Sequence, residues 1–178
     1  SSPHVYFRIT GSNGLKAKSQ VFYDVYENEK WNFALRFKPK KYPLTSMVTG
    51  AYDPNDGYIV ELYGVNSSGK NVQNEFTLSE RVTTAHGQNL LRYSKKVFVG
   101  AYRTNWTGSV INRADIRVSD TKYWTSYLDD ETMKMHSFDI DNHGLLNPYR
   151  SDSPLLIDGV HVPQIETLAL HWDYSQNT

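Results

Sequence analysis

The sequence predicts an all-β fold of two packed antiparallel sheets with one short helix. Aromatic residues are abundant, with 13 Tyr, 7 Phe and 4 Trp in 178 residues, and such side chains favour pleated, half-buried surfaces. Apolar and polar residues alternate over residues 31–38. Short strand-like runs separated by turn residues recur along the chain, a spacing typical of sandwiches and barrels. The length fits a single domain, which we assign to residues 1–178.

The first half of the chain contains the clearest predicted strands. In residues 31–38, Trp31, Phe33, Leu35 and Phe37 fall on one face, so we expect this face to lie in the core. Turn residues separate the fourth strand from the fifth and predict a hairpin between them. The predicted strands of this half cover residues 5–9, 20–26, 31–38, 57–65 and 74–80.

The second half of the chain combines two predicted strands, at residues 96–103 and 114–119, with a helix at residues 128–136. Asp129 is placed to cap the N-terminus of the helix. Leu128 and Met133 have the spacing of a hydrophobic staple across that cap. These features predict about two helical turns.

The last part of the chain, residues 145–178, changes in character. Residues 145–161 are rich in Pro, Ser and Asp and predict a loop that wraps the domain or begins a linker. Residues 168–172 predict a final strand. The chain opens without Met and has strand-like runs close to both ends, so we expect it to be excised from a longer protein.

Composition argues against several classes of function. The formal net charge is +0, with no long run of like charge, so we expect no nucleic-acid partner. We also expect no membrane partner, because no apolar stretch approaches the ~20 residues of a membrane span. Cysteine is absent, which removes disulfides, thiol nucleophiles and thiolate metal sites.

The order of these features resembles the concanavalin A-like, laminin-G-like jelly roll. The resemblance rests on residues 31–38 followed by 57–65, on residues 96–101, and on residues 115–136. Residues 99–144 and the terminal LALHWD run also resemble domains of this fold in large bacteriophage virion proteins. The resemblance implies a two-sheet jelly roll with a structural or adhesive role in a virion.

The same superfamily contains glucanases, which makes glycoside hydrolysis a third hypothesis. That chemistry needs two carboxylates flanking the scissile bond. In these enzymes the carboxylates lie at alternate positions of one strand. The nearest acidic run, residues 129–131, is better explained as a helix cap. The six His residues lack metal-ligand spacing, and no Gly-x-Ser-x-Gly elbow is present. We therefore expect no enzymatic activity.

Calcium is a candidate ligand because oxygen-rich loops suit hard cations. Residues 139–144 begin like an EF-hand loop, with Asp139 and Asp141 as candidate ligands. His143 and Arg150 stand where such a loop needs oxygen ligands, so a turn after the helix remains the favoured interpretation. Asp53 and Asp56, with Asn55, form a second oxygen-rich loop that is also favoured as a plain turn.

Two loops have the composition of a sugar-binding site, which combines an aromatic ring with amide and carboxylate groups. The candidate residues are Tyr52, Asp53 and Asn55 in one loop and Asn105 and Trp106 in the other. We expect a non-enzymatic structural or adhesion domain of a phage tail fibre or capsid-associated protein. It would be located in the virion, with host-surface glycans or neighbouring virion subunits as partners in a homo-oligomeric assembly. The alternative is a carbohydrate-binding, lectin-like domain of a secreted or cell-surface protein, with an extracellular location.

Overall fold

The structure is a computed structural model of the 178-residue chain. It describes residues 4–11, 15–27, 29–40, 57–139, 141, 152–157 and 160–174, with residues 152–157 and 160–164 described by their backbone alone. The elements in chain order are β1 (His4–Thr10), β2 (Lys16–Tyr23), β3 (Trp31–Pro39), β4 (Tyr58–Ser68), β5 (Asn71–Val82), α1 (Thr84–Arg92), β6 (Ala101–Arg103), β7 (Val110–Arg113), β8 (Asp120–Trp124), α2 (Asp130–Phe138), β9 (Asp152–Ile157), β10 (Val160–Pro163) and β11 (Leu168–Asp173).

A three-stranded antiparallel sheet, in the order β3–β4–β5, organises the fold. Trp31 lies opposite Asn66 and Pro39 opposite Tyr58, so β3 and β4 pair over nine residues without a break. The tight turn between β4 and β5 contains Gly69 at φ 60°, a conformation that glycine adopts without steric cost. The predicted hairpin between the fourth and fifth strands is thereby confirmed.

The β1–β2 hairpin packs on one face of this sheet through an aromatic cluster. The cluster is centred on Phe22, Phe76 and Leu78, which are all at most 9% exposed. Phe7 stacks on Phe76 with 5.1 Å between ring centroids, and Trp31 stacks on Phe33 at 5.7 Å. Offset and tilted ring pairs of this kind add stability beyond the area they bury.

Helix α2 covers the opposite face of the sheet. The Asp129 side chain accepts a hydrogen bond from the Thr132 N–H at 2.8 Å, so the predicted cap is confirmed. Leu128 and Met133 are buried together against Tyr63 and Val65, as expected of a hydrophobic staple. The sheet is therefore covered on both faces, by strands on one and by a helix on the other.

The prediction that one face of β3 would point wholly into the core is wrong. Trp31 is partly buried in the aromatic cluster, but Phe33 is 46% and Leu35 71% exposed. On the other face of the strand, Arg36 is only 6% exposed. Since both faces of β3 are covered over part of their length, hydrophobic alternation alone does not identify the buried one.

The remaining elements form small separate sheets. β6 pairs with β7, β8 with β11, and β9 with β10, all antiparallel. The final strand is confirmed as β11. Strand structure over residues 96–103 is limited to β6, and residues 114–119 form no strand. The predicted loop at 145–161 contains β9 and the start of β10, and helix α1 was not predicted.

The fold class is therefore mostly β, as predicted, with two helices among the described residues. Within the described segments the strands form five separate sheets, of which one has three strands and the others two. Among the described residues, neither helix is long and apolar enough to cross a membrane.

Candidate functional site

The sequence predicted ligand residues in two loops. Tyr52, Asp53, Asn55 and Asp56 lie outside the described residues. The second predicted pair, Asn105 and Trp106, lies in the loop that joins β6 to β7. This hairpin is accordingly the first candidate site.

A bulged two-stranded ladder holds the hairpin together. Ala101 lies opposite Arg113 and Tyr102 opposite Asn112, and the register shifts before Arg103. The Ala114 N–H extends the ladder by donating to the Gly100 carbonyl at 2.7 Å. Gly100 has φ +76°, which a residue with a side chain rarely adopts, so this position determines how the chain enters β6.

The Asn105 side chain closes the loop on itself. Its Oδ1 accepts from the Thr107 N–H at 3.1 Å and from the Thr107 hydroxyl at 3.4 Å. The Gly108 N–H donates to the Asn105 carbonyl at 3.4 Å. Such Asx turns replace a backbone turn and give the loop one conformation. The backbone on both sides of Trp106 is thus tied down before any ligand arrives.

Three aromatic rings line this hairpin. Trp106 is 61% exposed and Tyr102 is 54% exposed. Phe98 is half-buried and contacts both, with ring centroids 5.6 Å from Trp106 and 5.9 Å from Tyr102. Phe98 therefore contacts two exposed rings, which it meets at interplanar angles of 84° for Tyr102 and 42° for Trp106.

The predicted calcium ligands Asp139 and Asp141 are close in sequence and joined by a turn. The Asp139 backbone caps the C-terminus of α2, and its Oδ1 accepts from the Asp141 N–H at 3.0 Å. His143 and Gly144 lie outside the described residues. The residues that the structure describes contain no group of three or more side chains able to hold a metal. These contacts fit the turn interpretation.

A second candidate, not predicted from the sequence, is a cluster of charges between the sheet and α2. Arg36 lies 3.1 Å from Glu61 Oε2, 2.5 Å from Asp130 Oδ1 and 3.2 Å from the Leu128 carbonyl. Lys38 Nζ lies 3.0 Å from Glu61 Oε1. Both carboxylate oxygens of Glu61 are therefore paired with cations, which leaves this group poorly suited to act as a base or nucleophile.

Tyr127 completes the cluster. Its hydroxyl donates to Glu61 Oε2 at 2.7 Å and accepts from Lys38 Nζ at 3.0 Å. Burial raises the pKa of Tyr127, the Lys38 bond opposes this rise, and the bond to Glu61 adds to it. Burial alone would lower the pKa of Lys38, but its bonds to Tyr127 and Glu61 outweigh burial and raise that pKa. The charges of the cluster thus satisfy one another and hold α2 on the sheet.

A third group of charges lies on the β8–β11 sheet. Asp120 is only 11% exposed at its side chain and lies 2.8 Å from Lys122 Nζ and 2.9 Å from His171 Nε2. His171 is cross-strand partner to Lys122, so the pairing of the strands brings it to Asp120. No signal in the sequence predicts this contact, because 51 positions separate Asp120 from His171 and the strand pairing alone joins them.

No protein-family model, no curated protein and no solved structure matches the chain.

Proposed function

We propose that this chain is a non-enzymatic adhesion domain of a virion protein, part of a tail fibre or associated with the capsid, that binds host-surface glycans through the β6–β7 hairpin. The observation that carries the proposal is the exposure of Trp106 and Tyr102 on a common support, Phe98. Apolar side chains exposed next to one another mark ligand or partner sites, whereas single exposed rings are common on protein surfaces.

The chemistry of a sugar fits this hairpin. The C–H faces of a pyranose pack on aromatic rings, and its hydroxyl groups need nearby donors and acceptors. Asn105 and Thr107 supply polar groups beside Trp106, and the amide nitrogen of Asn105 has no protein partner among the described residues. Because the Asx turn already orders the loop, little conformational entropy is lost when a ligand binds.

The proposal also includes the arrangement of the sheets and a metal ligand. We infer a jelly roll in which the β3–β4–β5 sheet forms the centre of one layer. Calcium remains a candidate ligand of the oxygen-rich loops, with Asp139 and Asp141 on one loop and Asp53 and Asp56 on the other. A requirement for calcium would connect glycan binding to these loops.

A contact with a neighbouring virion subunit is the second candidate function. Val97 and Ile111 are 61% and 56% exposed on the same hairpin region, and aliphatic side chains add little to sugar recognition. Apolar residues exposed together are typical of surfaces that a partner covers. A subunit contact of this kind requires the domain to self-associate, and light scattering of the purified domain measures self-association directly.

The test of glycan binding is an array screen of the domain in the presence of calcium and of chelator. We expect Trp106→Ala to weaken binding about tenfold or more, since losing one stacked ring removes roughly 1.4 kcal/mol. Trp172→Ala is the matched control, because Trp172 is 51% exposed but lies on β11. Absence of binding in both conditions, or an equal loss in both variants, would refute the glycan site and favour the subunit contact.

A further inference from the structure

The chain from Asn89 to Arg117 is exposed almost without interruption. Only Phe98, Gly100, Ala101 and Gly108 are half-buried in this stretch. We call residues 95–117, which include the β6–β7 hairpin, the arm. Its large aliphatic side chains are each between 46% and 61% exposed; they are Val97, Val99, Val110, Ile111 and Ile116.

The arm also carries an excess of positive charge. It contains five basic residues and one acidic residue, a formal charge of +4, although the chain as a whole has a formal charge of +0. Within the described residues, none of these cations makes an ion pair to a carboxylate. The basic residues are Lys95, Lys96, Arg103, Arg113 and Arg117, and the acidic residue is Asp115.

The strand register concentrates part of this charge on one side of the hairpin. Arg113 of β7 lies opposite Ala101 of β6, and Arg103 is two residues beyond Ala101 on β6. Because strand residues at i and i+2 share a face, Arg103 and Arg113 project from the same face. Tyr102 and Asn112 lie opposite each other and belong to the other face. The hairpin thus carries Arg103 and Arg113 on one face and Tyr102 on the other.

We propose that the arm docks on the surface of an anionic phospholipid bilayer. Peripheral membrane segments combine exposed aliphatic and aromatic side chains with Lys and Arg, so that the apolar groups enter the headgroup region while the cations contact phosphates.

Binding to another kind of polyanion would account for the charged and aromatic side chains of the arm but not for its aliphatic ones. A nucleic acid or an acidic glycan would use the arginines and the aromatic rings, but neither accounts for the exposed Val97, Ile111 and Ile116. A protein interface would account for the aliphatic groups, but such interfaces are depleted in Lys, and the arm begins with Lys95 and Lys96. A lipid surface takes up both kinds of side chain at once.

The proposal differs from the sequence expectation of no membrane partner. That expectation rested on the absence of an apolar stretch long enough to span a membrane. The membrane proposal goes beyond the proposed glycan site, because it uses the flanks of the arm and leaves the Asn105–Trp106 tip for the sugar.

The experiment is co-sedimentation of the domain with 100 nm vesicles of phosphatidylcholine alone or with about 30% phosphatidylglycerol. We expect binding to the anionic vesicles that weakens at high salt, because the attraction is screened. Arg103→Gln with Arg113→Gln should weaken the binding roughly thirtyfold, since each basic residue near an anionic surface contributes about a fivefold gain. Ile111→Ser should weaken it about tenfold.

The matched control is Lys16→Gln with Lys70→Gln, which removes two exposed positive charges outside the arm and should change binding less than twofold. Three outcomes would overturn the proposal. They are equal binding to neutral vesicles, no binding to anionic vesicles, and tighter binding to a 20-base-pair DNA duplex in the same buffer. The paired arginine variant is also screened on the glycan array. Retained glycan binding with lost vesicle binding separates the two sites, and lost glycan binding in Trp106→Ala alone tests the glycan site independently.

Discussion

Arg36 brings a positive charge into a site where only 5% of its side chain contacts solvent. Glu61 and Asp130 compensate that charge, and the Leu128 carbonyl accepts a further hydrogen bond. The guanidinium also lies 5.0 Å from the ring centroids of Tyr63 and Tyr127, which is within the range of cation–π attraction. The residue therefore joins β3 to α2 by charge as well as by packing.

Glu61 is the partner whose loss tests this arrangement. We expect Glu61→Gln to lower the free energy of unfolding by about 3 kcal/mol, because it leaves two cations with one fewer compensating charge in a buried site. Urea unfolding measures the change. Glu131→Gln is the control, since Glu131 is 81% exposed at its side chain and should change stability by under about 0.5 kcal/mol. Equal stability of the two variants would show that the buried pair contributes nothing.

At the scale of elements, α2 is anchored at both ends. Arg36 contacts its first turn, while Lys30 Nζ and the Ser67 hydroxyl each donate to the Ser137 carbonyl at 3.0 Å near its end. Helix α1 is different, because only Gly87 is buried in it and Leu90 and Leu91 are exposed. Its leucines do not face the core and Gly87 lowers its helix propensity, so no helix was predicted at this position.

Gly87 controls how α1 packs on the sheet. A Cβ at this position would lie 2.1 Å from Tyr58 Cδ2, and Tyr58 itself stacks on Phe37 at 4.9 Å. We expect Gly87→Ala to destabilise the domain by about 1–3 kcal/mol through overpacking, although alanine favours a helix. Asn89→Ala, at an exposed position of the same helix, should be neutral or slightly stabilising. Greater stability of Gly87→Ala than of Asn89→Ala by thermal unfolding would contradict this packing.

At the scale of the whole molecule, Tyr63 and the cluster of charges between the sheet and α2 make the free energy of unfolding decrease at alkaline pH. The pKa values of Tyr63, Tyr127 and Lys38 are all raised in the folded state, for Tyr63 by burial and by the hydrogen bond to Glu75. A raised pKa favours the protonated form in the fold. The stabilisation is therefore complete below the ordinary pKa values of these groups and is lost as pH rises through the folded ones.

We accordingly expect the urea midpoint to be insensitive to these three groups up to about pH 9 and to fall above about pH 10. Absorbance of tyrosinate at 295 nm follows the titration, and two tyrosines should ionise only as the domain unfolds. Tyr127→Phe should reduce the alkaline loss relative to its stability at pH 8. A midpoint that is constant to pH 11 would contradict the raised pKa values.

The sequence by itself determined the elements whose signals are local. The cap at Asp129, the staple of Leu128 and Met133, the β4–β5 hairpin and the terminal strand were all predictable, because each depends on neighbouring residues. The exposed, polar-flanked ring of Trp106 was likewise a reasonable candidate, since its loop composition is visible in the sequence.

Only the tertiary structure decided which faces are buried and which charges meet. Arg36 alternates with apolar residues and looks solvent-exposed, yet the sheet and α2 enclose it because Glu61 and Asp130 are brought to it from other elements. His171 reaches Asp120 only through strand pairing. The charge of the arm is hidden in a balanced total, and its exposure depends on what the rest of the chain fails to cover. These are long-range properties, and local pattern does not contain them.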